Sequence, residues 1–176
     1  MPATAPEGPD AGARAIDVVI DTNVWLDLLV FKDTEVAWLT QALACGEVRA
    51  HVDVFSLEEL RRVLNYPLGK RRLDEAAQAD ALTACRVAAV EFAPAEGPTR
   101  ERALPVCRDR FDQPFLELAF DCGAACLITK DRDLLLLARR DRHRLPFQIA
   151  TPTAAQWLIG SFKSCASPAH RDQACA

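Results

Sequence analysis

No run of apolar residues approaches the length of a membrane span, and the opening residues lack a basic-then-apolar signal pattern. The chain is therefore expected in the cytoplasm, with no membrane partner. Histidine is scarce: His51, His143 and His170 share no helix face, which argues against a zinc site or a histidine base. Glycine is scarce too. Gly69-Lys70 has no glycine five residues before it, so a phosphate-cradling loop is missing, and there is no G-x-S-x-G nucleophile turn. The seven cysteines are odd in number and include no C-x-x-C pair, so they read as reduced, mostly core thiols. Nor is there an excess of positive charge. A net charge of −4 argues against a surface coated for nucleic acid, although local patches matter more than the total. Two patches stand out: Arg61, Arg62, Lys70, Arg71 and Arg72, with no acid between them, and Arg139-Arg140-Asp141-Arg142-His143-Arg144. Each suits a solvated face as well as it suits phosphate.

What is present reads as one globular domain of 176 residues, half of them hydrophobic and a quarter charged. Residues 1–14 are Pro, Ala, Gly and acid without periodicity, and are expected to form a disordered leader. Residues 161–176 read as a disordered tail, which leaves 15–160 for the domain. Within it strands and helices alternate. Ile16-Asp17-Val18-Val19-Ile20 is a short apolar run of the kind buried on both faces of a parallel sheet, and it stops at Asp21. A carboxylate there lies at the carboxyl end of a strand, where open α/β sheets put their ligands. Asn23 is expected to cap a helix running through Leu29. A helix over 34–44 stopped by Gly46 follows, then a strand over 48–52. Asp53 or Ser56 caps the next helix; Ser56 with Glu59 has the capping-box spacing. Asp74 opens a helix to about Val87, and Ala88 to Phe92 is a third strand. Asp112-Gln113-Pro114 through Gly123 has a capping acid, an early proline and a terminal glycine. Strands follow over 125–129 and 147–150; Asp133 is expected to cap a helix over 134–139, and Thr151-Pro152 starts a last helix through Ile159. The pattern predicts a three-layer α/β/α domain with a central parallel sheet of about five strands.

Four acids then hold equivalent places: Asp21 and Asp131 after strands, Asp112 at a helix start, and Glu59 on a helix edge. At about 100° per residue Leu57, Leu60, Val63 and Leu64 form one apolar arc; Glu59 lies about 40° from Val63 and Glu58 about 140° away. Two like charges 4 Å apart repel by about 4 kcal/mol at an effective dielectric of 20, and a divalent cation removes that cost. Carboxylates with water suit Mg²⁺ or Mn²⁺ rather than zinc. Metal held by acids at a sheet edge is apparatus for phosphodiester hydrolysis. A phosphatase of the haloacid-dehalogenase type needs a second Asp two residues after the first, and that position is Asn23.

The stretches Val18–Asn23, Glu59–Leu64, Asp112–Ala119 and Leu127–Leu135, in this order, resemble the motifs of PIN-domain ribonucleases. The ending from Thr151-Pro152-Thr153 to Trp157-Leu158 is similar to the closing helix of the VapC-like subgroup, toxin components of bacterial toxin–antitoxin pairs. The resemblance covers about residues 16–159. It implies a metal-dependent endoribonuclease in which Asp21, Glu59, Asp112 and Asp131 bind one or two Mg²⁺ or Mn²⁺. Asn23 would orient the first aspartate or its water, Thr129 would supply a supporting hydroxyl, and Asp133 would assist a second metal. Arg61, Arg62, Lys130 and the 139–144 patch are candidates to position the RNA backbone. The resemblance further implies a small antitoxin that inserts an arginine among the carboxylates, and a homodimer. Trp38 is a candidate for the dimer surface, with core packing the stronger expectation. Asp53 stands where relatives carry Ser or Thr, and Phe111 and Lys130 where they often carry Asp and Gly. A different class of function stays open at this point: a PIN-like module that binds RNA or protein without cutting.

Overall fold

A computed structural model describes residues 15–69, 72–93 and 103–166. The expected leader, Lys70, Arg71, His170 and the end of the expected tail lie outside the described residues. Five parallel strands make one sheet: β1 (Ile16–Ile20), β2 (Val48–Val52), β3 (Ala89–Glu91), β4 (Cys126–Ile128) and β5 (Gln148–Ala150), in the order β3-β2-β1-β4-β5. The ladder reaches past several of these ends, since Ala125 N donates to Asp17 O at 2.8 Å and Thr129 N to Ala150 O at 3.0 Å. The three-layer α/β/α architecture expected from the alternating pattern is the one observed.

Strand alternation divides the core in two. Val18, Ile20, Ala50, Val52, Cys126 and Ile128 pack against α1 (Thr22–Leu26), α2 (Ala37–Ala44), α3 (Val54–Leu64), α4 (Glu75–Ala88) and α7 (Pro152–Ala166). Val19 and Leu127 pack on the other face against Phe115, Leu116 and Ala119 of α5 (Gln113–Asp121) and Leu134 and Leu137 of α6 (Arg132–Arg140). β1 is covered on both sides, which is why it needed an unbroken apolar run. Trp38 packs against the first core, partly buried. None of the described cysteines is bridged, and burial pushes the Cys85 and Cys126 thiols up to about 12.

Several boundaries differ from the sequence reading. Asn23 lies inside the first turn of α1, whose N-cap position is Asp21. Beyond Leu26 the chain widens into a π-helical turn, Asp27–Phe31, which ends at Lys32 in the left-handed conformation (φ 52°). A 3₁₀ turn, Thr34–Val36, then leads into α2. Asp53, with Ser56 as its reciprocal partner, makes the capping box of α3; Glu59 takes no part in it. Ala88 ends α4 rather than starting β3. α7 runs on to Ala166, so the first part of the expected tail is helix; the next breaker in the sequence is Pro168.

The order of the strands fixes where a ligand goes. The chain builds β1, β2 and β3 outward in one direction, then crosses to lay β4 and β5 on the other side of β1. Between β1 and β4 the connections diverge, and the crevice at the carboxyl ends of those two strands is the topological switch point.

Candidate active site

Asp21 follows β1 into that crevice and is 3% exposed. Its N–H donates to Ile128 O at 3.0 Å, so the residue leaves the sheet beside the end of β4. The carboxylate does not cap α1. Instead Oδ2 accepts from Thr129 Oγ1 at 2.7 Å, and the Thr22 N–H and the Asn23 side chain also donate to it. Burial pushes the Asp21 carboxyl above the usual range; those hydrogen bonds pull it down, and the charge of Asp131 adds to the rise. The Thr129 hydroxyl is used twice, since it also accepts from Asp131 N at 2.8 Å. One buried hydroxyl thus fixes the two strand-end aspartates relative to each other.

Asp131, not Asp133, is the N-cap of α6: Oδ1 accepts from Asp133 N at 2.7 Å and from Leu134 N at 3.1 Å. The helix starts two residues earlier than the sequence reading has it, because Asp131 and Asp133 both have capping chemistry and the apolar periodicity does not choose between them. Asp133 sits in the first turn, half-buried, 3.9 Å from Arg108 Nη1.

Asp112 precedes α5 without capping it. Its backbone is already helical (φ −87°, ψ −18°) and its side chain makes no cap bond, so the carboxylate is spare. Cys107 Sγ lies 4.0 Å from Oδ2. Burial first, then the charges of Asp131, Asp21, Asp109 and Asp133, push the Asp112 carboxyl up to about 7. That ordering locates Asp112 with Asp21 and Asp131 in one anionic neighbourhood, rimmed by Asp109 and Asp133. The sequence reading did not single out Asp109; an acid three residues before Asp112, on the loop entering the same helix, was the available signal.

Glu59 is brought to the same end of the sheet by α3 but is not in that neighbourhood as it stands. Arg62 grips it: Nη2 lies 2.8 Å from Oε1 and 2.6 Å from Oε2, and Nε lies 3.0 Å from Oε2. Lys130 is also committed. Its ammonium lies 2.8 Å from Asp27 Oδ2, 3.1 Å from Asp33 Oδ2 and 3.4 Å from Glu35 Oε2, and hydrogen bonding to Asp27 leads in raising its pKa. Arg140 and Arg144, from the second basic patch, pair with Asp141 at 2.7 and 3.7 Å. Arg61 is exposed.

Among the described residues no three Asp, Glu, His or Cys side chains converge closely enough to hold a metal ion directly. The donor chemistry nevertheless fits a hard divalent cation. Asp21, Asp112 and Asp131 are oxygen donors, mutually repelling, and among the described residues no cation is set between them. A cation that keeps part of its water shell reaches carboxylates too far apart to chelate it alone.

The family model of the PIN domain matches residues 17–133, from β1 to the first turn of α6. No curated protein matches the chain. PIN domains are generally nucleases, and these generally use divalent metals. The match takes in Asp21, Glu59, Asp112 and Asp131 together with both strands of the switch point, and on it this chain belongs to the PIN domain family.

Proposed function

We propose that this protein is a metal-dependent endoribonuclease. The observation that carries the reading is the uncompensated trio Asp21, Asp112 and Asp131 at the β1–β4 crevice, where burial and mutual repulsion hold Asp112 at about 7. Bound there, Mg²⁺ or Mn²⁺ would polarise the phosphate and activate the attacking water. Asp21, steadied by Thr129 and Asn23, and Asp131, steadied by the N-terminus of α6, are the fixed donors. Asp112 would join them as a third oxygen donor, binding the cation only in its ionised form. Glu59 completes the quartet once Arg62 lets go of it. Arg61 and Arg62 are placed on α3 to hold phosphate, and Asp133 stands by on the rim. The likeness of the closing stretch to VapC-like toxins supports a toxin role in a bacterial cytoplasm, with a small antitoxin as partner and a homodimer as the assembly.

Two observations favour a second reading, a PIN-like module that binds without cutting: the Glu59–Arg62 pair and the absence, among the described residues, of a closed three-ligand set. Asp21→Asn separates the two. The wild type should cut single-stranded RNA in Mg²⁺ or Mn²⁺ and not in EDTA, and Asp21→Asn should lose at least about 100-fold in rate with an unchanged melting curve. No cleavage by the wild type in either metal leaves the binding module.

A further inference from the structure

Beside Asp112 lies a groove of about 560 Å³ lined by Phe55, Arg61, Arg62, Tyr66 and Phe111, together with Glu58, Glu59 and Asn65. Two of its rings face solvent, Phe111 at 65% and Tyr66 at 57% exposure. A third, Phe55, is fixed edge-on against the buried Phe115, with centroids 6.2 Å apart. The Arg62 guanidinium sits over the Phe111 ring, 5.8 Å from its centroid. The Phe111 N–H donates to Asp109 Oδ1 at 2.9 Å, which fixes the backbone at the residue before Asp112. Exposed rings interleaved with guanidinium groups are the surface that unpaired nucleobases stack on while their phosphates are neutralised.

We propose that this groove is a base-binding subsite, in which Phe111 and Tyr66 hold one unpaired base and Arg61 and Arg62 take the phosphate attached to it. The assignment rests on the ribonuclease reading and adds to it the contact that holds the nucleotide beside the cut. Phe111 is joined to Asp112, so a base on its ring sits next to the anionic crevice. Arg62 is shared: a phosphate entering the groove competes with Glu59 for its guanidinium. A paired base has no free face to offer, so the subsite selects single strands.

The test measures binding in EDTA, so that nothing is cut. The probe is an unstructured single-stranded oligoribonucleotide carrying 2-aminopurine and an end label, alongside the same sequence as a duplex. Phe111→Ala and Tyr66→Ala should each weaken single-strand binding by about tenfold and relieve the 2-aminopurine quenching, with melting curves unchanged. Phe111→Trp should restore both signals. Leu136→Ala, an equally exposed apolar change on α6, should alter neither. Affinities within twofold of wild type for both ring variants overturn the subsite. If the wild type still cuts RNA in Mn²⁺ in that case, the nuclease reading survives without it. If the wild type neither binds nor cuts, both fall. Should Phe111→Ala instead split a dimer while RNA affinity is kept, the groove is a contact between copies and the proposal is overturned.

Discussion

Residues 129–131 stand between two acid clusters that the chain treats in opposite ways. On one side Asp27, Asp33 and Glu35 converge on Lys130, which answers them with a single ammonium within 2.8–3.4 Å. On the other, Asp21, Asp112 and Asp131 crowd one another, and no cation among the described residues sits between them. The first arrangement holds the π-helical turn and its exit against the loop after β4. The second costs the fold stability, since a half-buried carboxyl held up to about 7 is one the native state would rather protonate. A sequence able to bring a lysine to three acids at residue 130 leaves the neighbouring cluster bare. The contrast sets a cluster tied down by its own lysine beside one whose charges are left to repel.

Three substitutions sharpen that comparison. Thr129→Val should be the most damaging. It keeps the side chain's shape but strips a buried carboxylate of its donor and the Asp131 N–H of its acceptor, costing about 2 kcal/mol in urea unfolding and lowering cleavage as well. Lys130→Met comes next: three carboxylates are left facing each other, and stability should fall by about 1 kcal/mol after screening by solvent, while RNA affinity and cleavage stay as they were. A drop in RNA affinity would return Lys130 to the substrate side. Asp112→Asn should affect folding about as much as Lys130→Met, with the opposite sign. Because folding raises this pKa, the proton-linked stability is fully present below pH 3.8 and is lost as pH climbs through about 7. The variant lacks that loss and should be more stable than wild type by about 1 kcal/mol at pH 8 in EDTA, although it should not cut RNA. Adding Mg²⁺ or Mn²⁺ should close the gap from the wild-type side; a wild type whose melting temperature ignores both metals from pH 5 to 9 would erase the contrast.

The sequence reading reached different depths in different places. The alternation of apolar runs with 3.6-period segments was enough for the layers and for the parallel sheet, because the central strands β1 and β4 are buried apolar runs. Gly46 was rightly read as a helix stop: it sits at φ 68°, and Glu47 N reaches back to Ala42 O at 2.9 Å. Asp131 and Asp133 changed places as caps because a two-residue shift in helix start leaves the apolar pattern intact. The Glu59–Arg62 pair was within reach, being an i,i+3 couple, but the wheel was used only to ask which acid faces the sheet. Lys130 was beyond reach. Its partners lie about a hundred residues back, and only the pairing of β4 with β1 brings them near. Long-range partners are set by strand order, and strand order is not written in local periodicity.

The hydrogen bond from Thr129 to Asp21 spans 108 positions of the chain. A ribosome that has made β1 through β3 has already released Asp21, yet the hydroxyl that joins its carboxylate to Asp131 has still to be made. Closing so long a loop is entropically slow compared with forming any of the helices, so this corner is expected to form late. Any translation product that stops before residue 129 therefore lacks the one hydroxyl that ties Asp21 to Asp131.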